Sequence, residues 1–275
     1  MTVTVTGASG HVGNNLVRLL LADGRRVRCL IHEDTRALEG LDVERVRGDV
    51  LDRESLLVAF SGVEAVYHLA ARISIVSGDE KLVQQVNIEG ARNVVEACLK
   101  CNVKRLIHFS SIGAMQQNPQ DEAVTEERPL LVGDNGLPYD RSKALGEMEV
   151  IAGLRRGLDA VVVNPTAILG PCDFKPSLTG EFLVKLCHGK LPALIEGGYN
   201  FVDARDVALG AIAAEKRGRT GERYILSGEW VALEDLAAMW GEIAGAKVPR
   251  LVSPLWLAGA AAPFSTLYAR LTHSR

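Results

Sequence analysis

Tyr139 and Lys143 are the residues whose types and spacing point most directly to chemistry. They lie in the run Tyr139-Asp140-Arg141-Ser142-Lys143. Side chains four residues apart lie on one face of a helix, so a helix here would place the phenol and the ammonium in one pocket. A nearby cation favours the phenolate and lowers the pKa of a phenol from about 10. The pair therefore predicts a tyrosine that exchanges a proton near neutral pH.

A glycine-rich turn at the start of the chain is the second feature with predicted chemistry. A β-branched strand pattern over residues 2–6 leads into Gly7-Ala8-Ser9-Gly10-His11-Val12-Gly13, and a helical pattern follows over residues 14–22. The glycines permit a tight turn, close approach of a pyrophosphate, and close packing of helix on strand. The helix N-terminus offers N–H groups and partial positive charge to phosphates. This order favours a dinucleotide site over a glycine turn without a ligand.

The elements that must position these residues alternate along the first two-thirds of the chain. Strands are predicted over residues 27–31, 43–46, 65–69, 105–109 and 160–163, and helices over 14–22, 53–60, 80–100 and 141–155. This alternation predicts an α/β fold, a Rossmann-type doubly wound parallel sheet, with a smaller C-terminal substrate-binding region. We assign residues 1–165 to a dinucleotide-binding domain with a return segment at 198–215, and residues 166–197 and 216–275 to the substrate-binding region.

Composition excludes several classes of function. The chain has 275 residues, 47% of them hydrophobic, enough for one large domain carrying a smaller one. Its net charge is −3, without blocks of like charge, so no nucleic-acid partner is expected. The five cysteines are scattered and no signal peptide precedes the first strand, which predicts the reducing cytoplasm.

Two other features are expected to have structural roles. Cys98-x-x-Cys101 is half of a zinc or redox pattern, but it falls late in a helical pattern without a second pair, so we predict no metal. The apolar stretch 251–271 is broken by prolines and hydroxyl residues. We therefore expect no membrane span there but a helix that packs on the substrate domain or a partner subunit.

Further segments, taken with these, resemble the extended short-chain dehydrogenase/reductase family of epimerase/dehydratase-like proteins over nearly the whole chain. The matching segments are Gly7-x-x-Gly10-x-x-Gly13, Gly48-Asp49-Val50, His68-Leu69-Ala70-Ala71, Val86-Asn87-Ile88-Glu89-Gly90, Ser110-Ser111, Tyr139-x-x-x-Lys143 and Asn164-Pro165. Residues 164–171, followed by Lys175-Pro176-Ser177, resemble the dihydroflavonol-reductase-like branch, which includes bacterial proteins labelled hopanoid-associated sugar epimerases.

The resemblance implies a catalytic role for three residues. Tyr139 would be the acid/base, Lys143 would hold the nicotinamide ribose and depress the pKa of Tyr139, and Ser111 would hydrogen-bond the substrate oxygen. Hydride transfer to a carbonyl builds negative charge on oxygen, which requires a proton donor and a positioned hydrogen bond. The alternative for Ser110-Ser111 is a polar strand end that caps a helix. Asn87 matches the family's helix asparagine, with a buried structural amide as the equal alternative.

The resemblance also implies the cofactor contacts. Asp49 and Val50 match the pair that recognises the adenine, and Pro165 and Thr166 would line the nicotinamide face. A further set would lie along the diphosphate and ribose: Gly7, Ser9, Gly10, His11, Val12, Gly13, Leu69, Ala70 and Ala71. His68 precedes this loop, and a hydrogen-bonded histidine at a strand end is its equal alternative.

The choice between NAD(H) and NADP(H) depends on the residue that ends the second strand. An acid there binds the ribose 2′-hydroxyl, whereas an arginine accommodates the 2′-phosphate. This chain has His32, which matches neither pattern. Related reductases mostly carry arginine at that position, and Arg36 is near enough in sequence to replace it. The sequence therefore favours NADP(H), with NAD(H) left open.

Three functions are compatible with these features. The first is a reductase or dehydrogenase acting on the carbonyl or alcohol of a small organic molecule, and the second is a nucleotide-sugar epimerase or dehydratase that recycles its cofactor. Tyr199 stands where nucleotide-sugar enzymes commonly carry a diphosphate-binding arginine, which favours the reductase. The third is a sensor without catalysis, which would usually have lost Tyr139 or Lys143.

The resemblance also bears on assembly and on the rim of the site. It suggests a homodimer formed through the helices at 80–100 and 141–155. Residues 116–137, with their proline, asparagine and acidic side chains, predict a mobile loop over the site. The chain ends sooner than family members usually do, so a segment that helps to close the substrate pocket is expected to be missing or shortened.

Overall fold

The computed structural model describes residues 1–73, 78–119, 121–133, 136–254 and 256–257. These residues form two compact units, of which the first contains Met1–Lys175 and Val202–Ser227. The second contains Pro176–Phe201 and the chain from Gly228 onward. The segment that returns to the first unit thus begins and ends later than the predicted 198–215. A substrate-binding role for the second unit stays a prediction.

Twelve strands and eight α-helices account for most of the described chain. The strands are β1 Thr2–Thr6, β2 Arg26–Ile31, β3 Glu44–Arg47, β4 Ala65–His68, β5 Arg105–Phe109, β6 Ala160–Pro165, β7 Ala167–Leu169, β8 Leu194–Ile195, β9 Gly198–Asp203, β10 Arg223–Leu226, β11 Glu229–Ala232 and β12 Val252–Ser253. The α-helices are α1 His11–Ala22, α2 Arg53–Phe60, α3 Glu80–Gln84, α4 Gly90–Lys100, α5 Pro138–Leu154, α6 Leu178–Cys187, α7 Ala204–Arg217 and α8 Leu233–Ala244.

The first unit is built on a seven-stranded sheet with the order β10-β6-β5-β4-β1-β2-β3. Every neighbouring pair in it is parallel, which confirms the predicted doubly wound α/β fold. The strand order reverses between β1 and β4. In sheets of this kind a ligand binds at the carboxyl ends of the strands beside such a reversal.

Two apolar cores cover the two faces of this sheet. Adjacent residues of one strand point to opposite faces, so Ile107 packs in the core beside α1 and α7 while Leu106 packs in the other. Both side chains are fully buried. The near-continuous apolar runs that predicted these strands arise because a parallel sheet is covered on both sides.

Several predicted elements are confirmed with small changes at their ends. The strand at 105–109 and the helix at 53–60 match their predicted bounds, whereas α5 begins at Pro138, which places Tyr139 within its first turn. The predicted helix over 80–100 is divided, because a wide π-helical turn at Gln85–Glu89 separates α3 from α4. Strand β10 was not predicted, since its apolar run is only three residues long and its residues are half-buried.

The second unit has its own small core of Leu186, Leu194 and Ala237. Strands β9 and β11 pair antiparallel, with Gly198 opposite Ala232, and β8 pairs with β12 in parallel. Most of the predicted C-terminal helix (251–271) lies outside the described residues. Within the part that the structure covers, no helix combines the length and apolarity needed to cross a membrane.

Candidate active site

The glycine turn between β1 and α1 lies at the reversal of strand order. Gly7 has φ +68°, a conformation that favours glycine, and a Cβ there would lie 2.6 Å from the Ala70 nitrogen. A Cβ on Gly13 would lie 2.1 Å from the Gly7 carbonyl oxygen. Gly10 is exposed, and a Cβ on it would meet only that same oxygen, at 3.2 Å. Two glycines are therefore required by packing, while the third leaves the helix N-terminus open to a ligand.

Side chains in the first turns of α1 make hydrogen bonds with the backbone carbonyls of residues 170–172. The His11 Nε2 atom lies 3.2 Å from the Gly170 carbonyl oxygen. Asn14 donates to the Cys172 carbonyl at 2.9 Å, and Asn15 donates to that of Pro171 at 3.0 Å. The imidazole of His11 thus supports the segment after β7. Cofactor contacts by His11, and by the half-buried Ser9 and Val12, stay predictions.

The loop after β4 lies against the glycine turn and is hydrogen-bonded to β1. The Thr6 hydroxyl accepts from the Ala70 backbone nitrogen at 3.2 Å and lies 2.8 Å from Nδ1 of His68. Burial lowers the pKa of His68 to about 3, and the charge of Lys143 adds to this shift. His68 is therefore a neutral, hydrogen-bonded histidine at a strand end, the alternative left open above. Leu69, Ala70 and Ala71 are partly exposed beside the turn.

Asn87, in the wide π-helical turn, joins the loop after β4 to helix α5. Its amide nitrogen donates to the Arg72 carbonyl at 3.0 Å and to the Ser142 hydroxyl at 2.8 Å, while its amide oxygen accepts from the Arg72 nitrogen at 2.8 Å. Ser142 in turn donates to the Tyr139 carbonyl at 2.6 Å. These contacts give Asn87 a structural role and fix the first turn of α5, while a cofactor contact by Asn87 stays a prediction.

Lys143 is buried in α5 against the end of β5. Its Nζ atom donates to the Phe109 carbonyl at 2.6 Å, and only 6% of the residue is exposed. Burial lowers its pKa to about 8, while the nearby charge of Glu147 opposes this shift. The ammonium is thus held at a fixed position and loses its proton within an accessible pH range.

Desolvation opposes the expected effect of Lys143 on the pKa of Tyr139. Burial raises the pKa of the Tyr139 phenol, and the charge of Asp140 raises it further. The physical reason is that desolvation disfavours the phenolate, while the Lys143 ammonium is hydrogen-bonded to a strand carbonyl. Sequence spacing could not reveal this desolvation.

Ser111 ends the β5 segment and starts a short 3₁₀ turn, Ile112–Ala114. Its hydroxyl oxygen accepts from the Gly113 nitrogen at 3.1 Å, and its carbonyl accepts from the Asn164 amide at 3.1 Å. A Cβ on Gly113 would lie 2.2 Å from Oδ1 of Asp140, so the first turn of α5 packs directly on this 3₁₀ turn. The capping alternative is therefore realised, and the hydroxyl hydrogen has no acceptor among the residues that the structure describes.

Glu147 is the main residue of this site that the sequence reasoning missed. Its side chain is 1% exposed, and Oε1 lies 3.2 Å from Nε of Arg223 in β10. The Asn164 amide donates to Oε2 at 3.3 Å, and burial raises the pKa of the carboxyl. The signal was present in the sequence, because Glu147 follows Lys143 by one helical turn on the same face. It becomes informative only when that face is known to be buried.

The carboxyl ends of β2 and β3 form the predicted adenosine end of the site. Nε2 of His32 lies 3.2 Å from Oδ2 of Asp49, which brings these two predicted residues together. Val50 is buried against Gly90, where a Cβ would lie 2.8 Å from the valine Cγ2. Arg36 donates two hydrogen bonds to the Asp34 carboxylate, from Nε at 3.0 Å and from a terminal nitrogen at 2.6 Å. The expectation that Arg36 is available for a 2′-phosphate is therefore not supported.

At the end of β6, the remaining predicted residues lie at the carboxyl edge of the sheet. Pro165 is the last, buried residue of that strand, and the Thr166 nitrogen donates to the Leu226 carbonyl at 3.1 Å. Their roles at the nicotinamide face stay predictions.

The thiols of Cys98 and Cys101 are poorly suited to redox or metal chemistry. Burial raises the pKa of Cys98 well above its usual value and also raises that of Cys101, so both are held as thiols. Within the described ranges, no group of three or more His, Cys, Asp or Glu side chains is arranged to hold a metal ion.

Comparison with known proteins gives consistent similarities. Residues 3–227 match the model of the NAD-dependent epimerase/dehydratase family. Sterol demethylase protein B of Methylococcus capsulatus is 43% identical over 92% of this chain and 78% of its own length. A proposed dihydroflavonol 4-reductase of Synechocystis is 35% identical over 92% of this chain and 75% of its own. The crystal structure of gox2253 is 34% identical, with a TM-score of 0.89 over all of this chain and 84% of that one.

Proposed function

The chain belongs to the NAD-dependent epimerase/dehydratase family and is an NAD(P)-dependent enzyme of the extended short-chain dehydrogenase/reductase type, and we propose that it is a reductase or dehydrogenase. The proposed reaction is hydride transfer to or from the carbonyl or alcohol of a small organic substrate. A nucleotide-sugar epimerase or dehydratase with an internally recycled cofactor is the alternative.

The observation that carries the proposal is the contact between two segments at the carboxyl edge of the sheet. The first turn of α5, with Tyr139, packs on the 3₁₀ turn that Ser111 caps, through Asp140 and Gly113. Lys143 is bonded to the last residue of the adjoining strand at 2.6 Å. A phenol, a hydroxyl and an ammonium therefore share one edge, as proton transfer to a carbonyl oxygen requires.

The residues present fit a bound dinucleotide. The open position at Gly10 and the N-terminus of α1 would hold the diphosphate, and Asp49 would recognise the adenine. When bound, the cofactor supplies or accepts the hydride at its nicotinamide ring. Ser111 would donate its free hydrogen to the substrate oxygen, and Tyr139 would give or take the proton. Lys143, charged below pH 8, would stabilise the phenolate that results.

Two features support a reductase over a nucleotide-sugar enzyme. Tyr199, at the position of the diphosphate-binding arginine, is 58% exposed and carries no charge for a diphosphate. The names of the two curated relatives refer to a sterol and to a dihydroflavonol, whereas similar solved structures include the UDP-glucose 4-epimerase of Thermus thermophilus, at 27% identity. We therefore propose an apolar organic ketone, aldehyde or alcohol as the class of substrate.

Three finer points belong to this proposal. We propose that the enzyme prefers NADP(H) to NAD(H), because basic side chains lie at the ends of β2 and β3. We propose the reducing cytoplasm as its compartment, since all five cysteines are free thiols. A homodimer through α4 and α5 is proposed by family analogy, and sedimentation of the purified protein would test it.

The activity test follows reduced-cofactor absorbance with NADPH or NADH and panels of aldehydes, ketones and UDP-sugars. A reductase consumes the cofactor in proportion to product, whereas an epimerase or dehydratase forms product without net loss of absorbance. Tyr139→Phe should lower turnover by about 10²- to 10⁴-fold, because it removes the proton donor. Cofactor affinity should persist in that variant. Unchanged cellular function in the variant would indicate a sensor instead.

A further inference from the structure

A pocket of about 470 Å³ lies at the carboxyl end of β2 and along the edge strand β3. Its lining residues are Ile31, His32, Glu33, Thr35, Arg45 and Arg47. The register of the sheet explains the two arginines, since Arg45 pairs with Cys29 and Arg47 pairs with Ile31. Residues two apart on a strand point to the same face, so both guanidinium groups lie on one side of β3.

The pocket adjoins the predicted adenosine end of the cofactor site. His32 lines it and also lies 3.2 Å from the carboxylate of Asp49, the residue predicted to recognise the adenine. A ribose placed beside that adenine would have its 2′ substituent next to the pocket. The chemistry of the pocket walls therefore bears on what the cofactor carries at that position.

The three arginines of this region differ in the hydrogen bonds and ion pairs that they make. Two nitrogens of Arg36 donate hydrogen bonds to the Asp34 carboxylate. One terminal nitrogen of Arg45 donates a hydrogen bond to the Leu38 carbonyl at 2.8 Å. The Arg47 side chain makes no hydrogen bond or ion pair with any other residue in the described parts of the chain. Only Arg47 thus presents a whole guanidinium fork to an incoming anion.

We propose that Arg47, assisted by Arg45 and the Thr35 hydroxyl, binds the 2′-phosphate of NADP(H) and sets the cofactor preference of this enzyme. A guanidinium fork matches the oxygens of a phosphate in a bidentate contact, which an ammonium or imidazole cannot reproduce. The selecting residue is then supplied by the end of β3 rather than by the loop after β2. This inference rests on the proposed function, since it assigns a part of the same cofactor site.

The carboxylate of Glu33 disfavours the binding of a phosphate in this pocket. This carboxylate lines the same cavity, and like charges in one site raise the free energy of the bound anion. The balance of two arginines against one glutamate still leaves the pocket positively charged. Glu33→Gln should therefore strengthen NADPH binding relative to NADH binding.

The test is the dissociation constant of NADPH and of NADH for the purified protein, measured by quenching of its tryptophan fluorescence. Arg47→Gln should weaken NADPH binding by roughly 10- to 150-fold, the range for losing hydrogen bonds to a charged group, without weakening NADH binding. Arg36→Gln is the matched control and should change the NADPH-to-NADH ratio much less. Thermal unfolding of each variant checks that the fold is retained.

The outcomes separate this inference from the proposed function. An unchanged NADPH-to-NADH ratio in Arg47→Gln, or a larger change in Arg36→Gln, overturns the inference while the proposed reductase stands. Equal affinity of the wild-type protein for both dinucleotides has the same meaning. Binding of neither dinucleotide by the wild-type protein overturns both proposals.

Discussion

The glycine turn and the catalytic edge, both in the first unit, are built in opposite ways. The turn is one run of residues, 7–13, and it acts through its own backbone geometry. The catalytic edge combines side chains from β5, α5, β6 and β10 that are far apart in sequence. The first kind of site follows from local sequence, whereas the second exists only when the sheet is assembled.

The two regions also differ in how pH affects them. The phosphate-binding groups of the turn are backbone N–H groups and a helix terminus, which do not titrate. The catalytic edge contains a buried ammonium whose pKa is lowered to about 8 and a buried carboxyl whose pKa is raised. Changes of pH should therefore affect the catalytic edge before they affect the diphosphate contacts of the turn.

Gly13→Ala should have the broadest effect, on both stability and cofactor affinity, because it displaces the backbone of the turn. The added Cβ would lie 2.1 Å from the Gly7 carbonyl oxygen, so the turn must move. We expect the free energy of unfolding to fall by about 1–3 kcal/mol, as for other overpacked sites, and cofactor affinity to fall at least tenfold. Chemical denaturation and cofactor titration measure the two quantities.

Gly10→Ala is the matched control for that variant. Its Cβ meets only the Gly7 oxygen at 3.2 Å, so stability should change little while cofactor affinity still falls. If both variants lose stability equally, the distinction between a packing glycine and a ligand-facing glycine is wrong.

Ser111→Ala should have an intermediate effect, confined to the catalytic edge. Loss of one positioned donor to a developing oxyanion typically lowers kcat by about 10²-fold or more. The lost cap of the 3₁₀ turn should lower stability by about 1 kcal/mol or less. Steady-state kinetics and thermal unfolding separate these contributions.

Ser111→Thr keeps both the hydroxyl and the cap and should retain most of the turnover. A fully active alanine variant would show that Ser111 serves only as the cap of the Ile112–Ala114 turn.

Glu147→Gln should give the smallest effect, a shift in the pH profile. Lys143 is charged below its pKa of about 8, so kcat/KM should decline as pH rises through that value. The charge of Glu147 favours the ammonium, and its removal should move the decline to lower pH. The pH dependence of kcat/KM measures this shift.

Arg223→Gln provides a control of opposite sign. It breaks the same buried ion pair at 3.2 Å but removes a positive charge, so the decline should not move to lower pH. A common shift in both variants would mean that Glu147 acts through the fold and not through its charge.

Much of the fold could be predicted because buried parallel strands leave apolar runs and connecting helices leave periodic ones. The strand Arg105–Phe109 and the helix Arg53–Phe60 follow directly from such patterns. Strand β10 has an apolar run of only three residues and was missed, and with it the partner of Glu147. The wide turn at Gln85–Glu89 was also missed, since its residues keep helical spacing.

Local sequence determined the glycine turn, the parallel sheet and the positions of Tyr139, Lys143 and Ser111, because each depends on spacing along one segment. Tertiary structure alone decided the state of those groups. Burial raises the pKa of Tyr139 against the sequence expectation. Asp34 is hydrogen-bonded to Arg36, while Arg47 has no side-chain partner among the residues that the structure describes. Desolvation and ion pairing depend on which segments meet in space, and that information is not present in the spacing of residues along the chain.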